Sequence, residues 1–274
     1  RDSGLKHQFK KSFEGVIPNL DRRRQETHSN HVRDELEKYM LHSLTRLQED
    51  VQDAYEAYDY RKVTTLLVNY INLDLSAFYF DIRKDSLYCD PYSSEKRKSS
   101  LYVINVIFKT ISKLYAPILS FTMDEVWKNY PFAQDRSIHL SRFELVNNKW
   151  SNDNINSKWD NVRKLRKTVT AALEIKRRDK EIGSSLEAGI QIYLNDKDIQ
   201  ASVCDIDLAE ICITSSFELI NKKPDSKCFV LDEEPEIGVI VHIAEGKKCQ
   251  RSWKVTEDVG LDAEYPELSK RDAD

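Results

Sequence analysis

The chain has 274 residues, 40% apolar and 32% charged, a net charge of −4 and only seven glycines. That length holds one large domain or two ordinary ones, and the near-neutral balance leaves nucleic-acid binding to a local basic face rather than an overall field. The scarcity of glycine, with no G-x-G-x-x-G and no G-x-x-x-x-G-K-[ST], argues against a nucleotide-binding α/β domain, which needs glycine where backbone approaches phosphate.

The cysteines, Cys89, Cys204, Cys212, Cys228 and Cys249, are odd in number and widely spaced. That pattern suits a reducing cytoplasm better than a disulfide framework. No run of about 18 apolar residues exists, so no membrane span is expected. The N-terminus reads as no signal peptide, and the start at Arg1 fits a piece of a longer protein.

Residues 1–33 are polar, with the run Arg22-Arg23-Arg24, and read as a loosely held lead-in. From Asp34 the pattern turns helical. Leu36, Met40, Leu44, Leu47, Val51 and Tyr55 recur at three- or four-residue steps. A turn at Tyr58-Asp59-Tyr60 separates this helix from a second, over about Arg61 to Lys84. There the apolar residues occupy more than one stripe, which predicts a central helix contacted on several sides. A third helix, with a serine N-cap, spans about Glu95 to Tyr115 before Pro117. A fourth starts near Thr122, capped by that hydroxyl, and stops at Pro131. Residues 34–146 are thus expected to form an antiparallel helix bundle, in a mainly α chain.

Ser137-Ile138-His139-Leu140 and Phe143 read as an extended link. The second region, 147–274, opens with a long basic helix over about Asn154 to Lys180. Trp159, Val162, Leu165, Val169, Leu173 and Ile175 lie to one side of it. After Gly183 the period changes to two. Gly189–Leu194, Ile211–Thr214 and Gly238–Ile243 read as strands of a small α+β domain.

Four segments carry a family resemblance. Glu35-Leu36-Glu37-Lys38-Tyr39-Met40-Leu41-His42 is similar to the opening of the helical anticodon-binding domain of class I tRNA synthetases. The run from Asp74 to Tyr88 resembles the bacterial isoleucyl enzymes specifically. Leu114 to Trp127 is shared across the wider class. Ile182-Gly183-Ser184-Ser185-Leu186-Glu187-Ala188 is again typical of the isoleucyl group. In order and at the right separations, these segments cover residue 34 to the end, while 1–33 fit poorly. The chain is therefore identified as resembling the C-terminal, anticodon-binding region of bacterial-type isoleucyl-tRNA synthetases. The resemblance implies an ATP- and Mg-dependent ligase whose chemistry lies elsewhere, because H-I-G-H and K-M-S-K-S are both missing here. It implies tRNA and the catalytic body of the same enzyme as partners, a monomer, a cytoplasmic location, and no cofactor or catalytic residue in this chain. The equivalent domain of a valyl, leucyl or methionyl enzyme and a helical protein–protein scaffold are the alternatives.

Candidate RNA contacts follow from charge and ring chemistry. On the basic helix they are Arg163, Arg166, Lys167, Lys176, Arg177 and Arg178, which neutralise phosphates if they face RNA and are ordinary solvated surface if they do not. Arg83 and Lys84 are candidates beside the aromatic run Phe78-Tyr79-Phe80. His42 and His139 read as isolated polar residues.

Many bacterial relatives end in a zinc knuckle of the form C-x-x-C-W and, later, L-C-P-R-C. Here those halves read Cys249-Gln250-Arg251-Ser252-Trp253 and Leu268-Ser269-Lys270-Arg271-Asp272. Cys249 alone is retained, while Ser252, Ser269 and Asp272 replace the other thiolates. One cysteine with two serines does not make a structural zinc site, so the metal is expected to be lost. Trp253 remains, as a candidate to stack on an anticodon base or to pin the tail.

Overall fold

The computed structural model describes Val32 and residues 34–133, 135–221 and 228–273. The lead-in read over 1–33 lies outside these residues, apart from Val32. They fall into two compact units: one through Leu87 and over Pro91–Asp153, the other comprising Tyr88–Asp90 and the chain from Asn154 on.

The first unit is helical. Helix α1 (Glu35–Glu56) starts at Asp34, whose Oδ1 accepts the Leu36 N–H at 3.1 Å. It packs on α2 (Tyr60–Asn69) and on α4 (Glu95–Tyr115). Between α2 and α3 (Asp81–Cys89) the helix continues as a π segment, Tyr70–Phe80. Asp59 caps α2 and Ser94 caps α4, as the serine signal suggested.

The π segment explains the broad apolar stripe. Its buried side chains are Tyr70, Leu75, Phe78 and Tyr79, and the first two stand five residues apart, as an i→i+5 turn spaces them. The expectation that this second helix is central is overturned. Val68, Leu73 and Phe80 remain exposed, at 41%, 61% and 40%. The central helix is α1, buried on its polar side as well as its apolar one. Glu37, His42, Thr45 and Gln48 are all buried, and each has a partner. Polar groups enter a core when their hydrogen bonds are satisfied there, and the partners of Glu37, His42 and Gln48 lie far along the chain.

Helix α5 (Ser120–Asn129) is capped at Leu119, three residues before the expected Thr122 cap, with no side-chain hydrogen bond. Tyr130 is extended before Pro131, as the proline ring demands. The link expected to be extended forms a 3-10 turn, Ile138–Leu140. Ile138 turns inward there to pack with Ala116 and Trp127.

The second unit begins with α6 (Asp153–Arg178), which buries Ile155, Trp159, Val162, Leu165, Val169 and Leu173 along one face. The sheet order is β2-β1-β4-β3, from β1 (Ala188–Leu194), β2 (Ser216–Ile220), β3 (Phe229–Leu231) and β4 (Glu234–Ile243). β1 runs parallel to β2 and antiparallel to β4. Parallel neighbours require a crossover, which α7 (Lys197–Val203) and α8 (Leu208–Cys212) supply. The strand expected at Ile211–Thr214 is therefore the end of a helix. Asp207 accepts the Glu210 N–H at 3.2 Å and starts that helix, and Ile213 ends it in the left-handed region at φ 57°. A short hairpin, β5 (Lys247–Lys248) with β6 (Val255–Thr256), precedes the terminal turn α9 (Lys270–Ala273).

Candidate nucleic-acid interface

The cations of α6 lie on its exposed faces and, for Lys176 and Arg177, in the last turn beyond the buried stripe that ends at Leu173. Lys164, Lys167, Arg177 and Arg178 are exposed, and Lys176 is half-exposed. Several already meet carboxylates. Lys167 pairs with Glu233, Arg177 with Glu174, Lys176 with Glu181 at 2.7 Å, and Arg178 with Asp179 at 3.4 Å. Exposed pairs of this kind are worth about 0–1 kcal/mol, so they yield to a phosphate at little cost. Arg166 is different: its Nε donates to the Ile211 carbonyl at 2.9 Å, which ties α6 to the end of α8. Arg163 is half-buried. Lys180, exposed just beyond the helix, adds to the same charge.

Beyond α6 the chain turns through Ile182–Ala188, and this motif is a junction. The Glu187 carboxylate accepts the Gly183 N–H at 2.8 Å and lies 3.6 Å from Lys248 Nζ. The Gly183 amide, with Lys248, holds that carboxyl below its ordinary range. Ser215 Oγ donates to the Leu186 carbonyl and accepts the Val255 N–H at 2.8 Å, joining motif, sheet and tail. Gly189 follows, where a Cβ would meet His242 Nε2 at 2.4 Å and Ser216 Oγ at 2.5 Å, so a larger residue would have to displace both side chains.

Trp253 stands at the tail. It is 60% exposed, adopts φ 63°, and has Lys248 Nζ 5.7 Å from its ring centroid. A bare ring beside a cation suits a base and its phosphate. Lys248 carried no sequence signal as a companion of Trp253; the β5–β6 hairpin brings it there.

Around Trp253 the four knuckle positions converge. Asp272 Oδ2 accepts from Cys249 Sγ at 3.0 Å, Ser252 Oγ at 2.5 Å and Ser269 Oγ at 3.0 Å. Its Oδ1 accepts from Arg271 Nε at 3.0 Å and Nη2 at 2.9 Å. One thiol, two hydroxyls and one carboxylate do not fit structural zinc, which takes thiolates and imidazoles.

Arg83 corrects the sequence reading. Its side chain is 1% exposed and committed to Glu37 and Asp34, at 2.5 and 2.7 Å, so it is not offered to phosphate. Lys84 is on the surface, paired with Asp81 at 2.8 Å. Of the neighbouring aromatics, Phe78 and Tyr79 are core and Phe80 alone is exposed. His42 Nδ1 accepts the Asn152 N–H at 3.0 Å, and His139 lies at the surface, 3.1 Å from the Ser120 carbonyl.

A helical bundle continued by a basic helix and a small sheet is the architecture of a tRNA-ligase accessory domain, and the family model described as the anticodon-binding domain of tRNA ligase matches residues 37–194. The chain belongs to that family. Within it, the chain is similar to isoleucine–tRNA ligases. It is 47% identical over 240 residues to that of Agrobacterium fabrum, covering 87% of this chain and 25% of the relative. The figures are 47% over 239 residues for Bradyrhizobium diazoefficiens and 46% over 243 for Rhodopseudomonas palustris, each covering 87% of this chain and 24% of the relative. The chain thus spans about a quarter of the length of the curated relatives it matches. A second family model, the UvrA DNA-binding domain, matches residues 1–38, which take in the poorly fitting stretch 1–33 and overlap the start of the tRNA-ligase match. Among the described residues no helix is long and apolar enough to cross a membrane.

Proposed function

We propose that this chain is the tRNA-anticodon-binding portion of an isoleucine–tRNA ligase, with a bundle domain over residues 34–146 and a basic helix with a small α+β domain over 147–274. One observation carries the reading. The residues matched by the anticodon-binding family run from α1 into β1 and so take in the basic helix α6, which supports a role for that helix in the same binding task. Lys164, Lys167, Lys176, Arg177, Arg178 and Lys84 would meet phosphates, while Trp253 would stack on an anticodon base. Phosphate contacts position an RNA, and stacking on Trp253 would hold an unpaired base whatever its identity.

In the full-length ligase, isoleucine would be activated with ATP and Mg in a catalytic domain outside this sequence. This chain would form no adenylate and hold no zinc. It would work as a cytoplasmic monomer joined to that body. The test is binding of isoleucine tRNA to the purified chain across a salt series. The logarithm of affinity should fall with the logarithm of salt by about 0.9 for each duplex phosphate neutralised. A protein–protein scaffold would show no specific RNA binding at any salt.

A further inference from the structure

We propose that the tail from Cys249 to Ala273 is a metal-independent knuckle in which the Asp272 carboxylate occupies the centre that a bound ion would otherwise fill. The inference stands whether or not the chain binds RNA. In a zinc knuckle the centre is a cation and four ligands turn lone pairs toward it. Here the polarity is inverted. The centre is an anionic oxygen, and Cys249, Ser252 and Ser269 turn S–H and O–H donors toward it.

The Asp272 side chain is fully buried, and a buried carboxylate is costly unless every lone pair is used. Oδ2 receives three donors and Oδ1 two from Arg271. These donors favour the ionised form, and the carboxyl sits below its ordinary range although burial pulls the other way. The hub also organises backbone. The Ser269 N–H donates to Cys249 Sγ at 3.3 Å, the Trp253 N–H to the Cys249 carbonyl at 2.9 Å, and the Gln250 N–H to the Glu267 carbonyl at 3.1 Å. Both halves of the tail are thereby closed on one point, with Trp253 on the rim. Ser252, Ser269 and Asp272, with Cys249, together make one self-consistent cluster without metal.

Two consequences separate this from a merely degenerate tail. Closure needs Asp272 and no metal. Cys249, Ser252 and Ser269 also still aim at the one point that Asp272 reaches, so thiolates at all four positions would regain an ion. The experiment is amide exchange with elemental analysis on three proteins: the wild type, Asp272→Ala, and the triple variant Ser252→Cys/Ser269→Cys/Asp272→Cys. The wild type, purified without added metal, should carry far less than one zinc. Chelator should leave the Gln250, Trp253 and Ser269 amides protected. Asp272→Ala should lose protection at those amides by about ten-fold or more, the scale of one charge-assisted hydrogen bond, while the β1 amides hold. The triple variant should take up about one zinc and give the tetrahedral thiolate spectrum when cobalt replaces it. Stoichiometric zinc in the wild type, chelator-induced loss of tail protection, unchanged exchange in Asp272→Ala, or a folded triple variant that binds no metal would each overturn the proposal.

Discussion

Arg83 lays its guanidinium across both carboxylate oxygens of Glu37, with Nε 2.8 Å from Oε1 and Nη2 2.5 Å from Oε2. Ser100 Oγ and Tyr79 OH complete the carboxylate's shell at 2.8 and 3.1 Å. The pair joins α1 to α3 inside the bundle, and Ser100 brings in α4. Removing one partner strands the other, a loss of about 3–5 kcal/mol for a buried pair. Arg83→Ala should therefore sharply lower the denaturant midpoint of the helical unit, and Arg83→Lys should not rescue it, since lysine cannot span both oxygens. If Arg83→Ala unfolds like the wild type yet binds tRNA weakly, the residue is an RNA contact after all.

Glu144 gives the fold a dependence on acid. Burial works to raise its pKa, but Lys109 at 3.5 Å and Lys113 at 2.7 Å outweigh burial and hold the carboxyl below its ordinary value. A carboxylate depressed in the folded state stabilises above its unfolded pKa, about 4.3 for Glu. That stabilisation disappears as pH falls through the folded value. Glu144→Gln should cost about 1 kcal/mol at pH 7 and flatten the acid limb of a melting-temperature curve below about pH 4.3. An unchanged acid limb would remove Glu144 from this role.

The C-terminal turns of α6 supply the next expectation. Lys176→Ala/Arg177→Ala/Arg178→Ala removes exposed charges whose present ion pairs are individually weak. Melting should hold. Affinity for tRNA should fall for every sequence alike, and the salt slope should shrink by about 0.9 for each duplex phosphate no longer neutralised. An unaltered slope would mean that this face is ordinary solvated surface.

Trp253 is exposed at 60%, which favours recognition over pinning. Trp253→Ala should cost about 1–3 kcal/mol of tRNA affinity and leave the melting midpoint in place. Trp253→Gly should melt no lower than Trp253→Ala, because glycine accepts the left-handed backbone there freely. A lower midpoint with binding loss in proportion would show instead that the ring pins the tail.

Where the sequence was legible, the signal was local. Three- and four-residue spacing marked α1, an apolar side marked α6, a serine and Pro117 marked the ends of α4, and alternation marked β1 and β4. The misreadings share a different cause. Val68, Leu73 and Phe80 are apolar yet exposed, so the second helix looked central, while Glu37, His42, Thr45 and Gln48 gave α1 a polar side that the fold buries. Ile211-Cys212-Ile213-Thr214 has strand composition, yet Asp207 and Glu210 start a helix just upstream. Arg83 looked like a free cation because Glu37 lies on another helix, too far along the chain for a local pairing rule. At the tail, spacing located Cys249, Ser252, Ser269 and Asp272, but only three dimensions show Asp272 as their common acceptor.

The most direct measurement compares isoleucine tRNA with the same tRNA carrying exchanged anticodon bases, bound to the purified chain at one fixed salt concentration. The chain should bind the native anticodon more tightly, and Trp253→Ala should weaken binding of both tRNAs. Equal affinity for both tRNAs would contradict anticodon recognition and leave this chain with electrostatic grip alone.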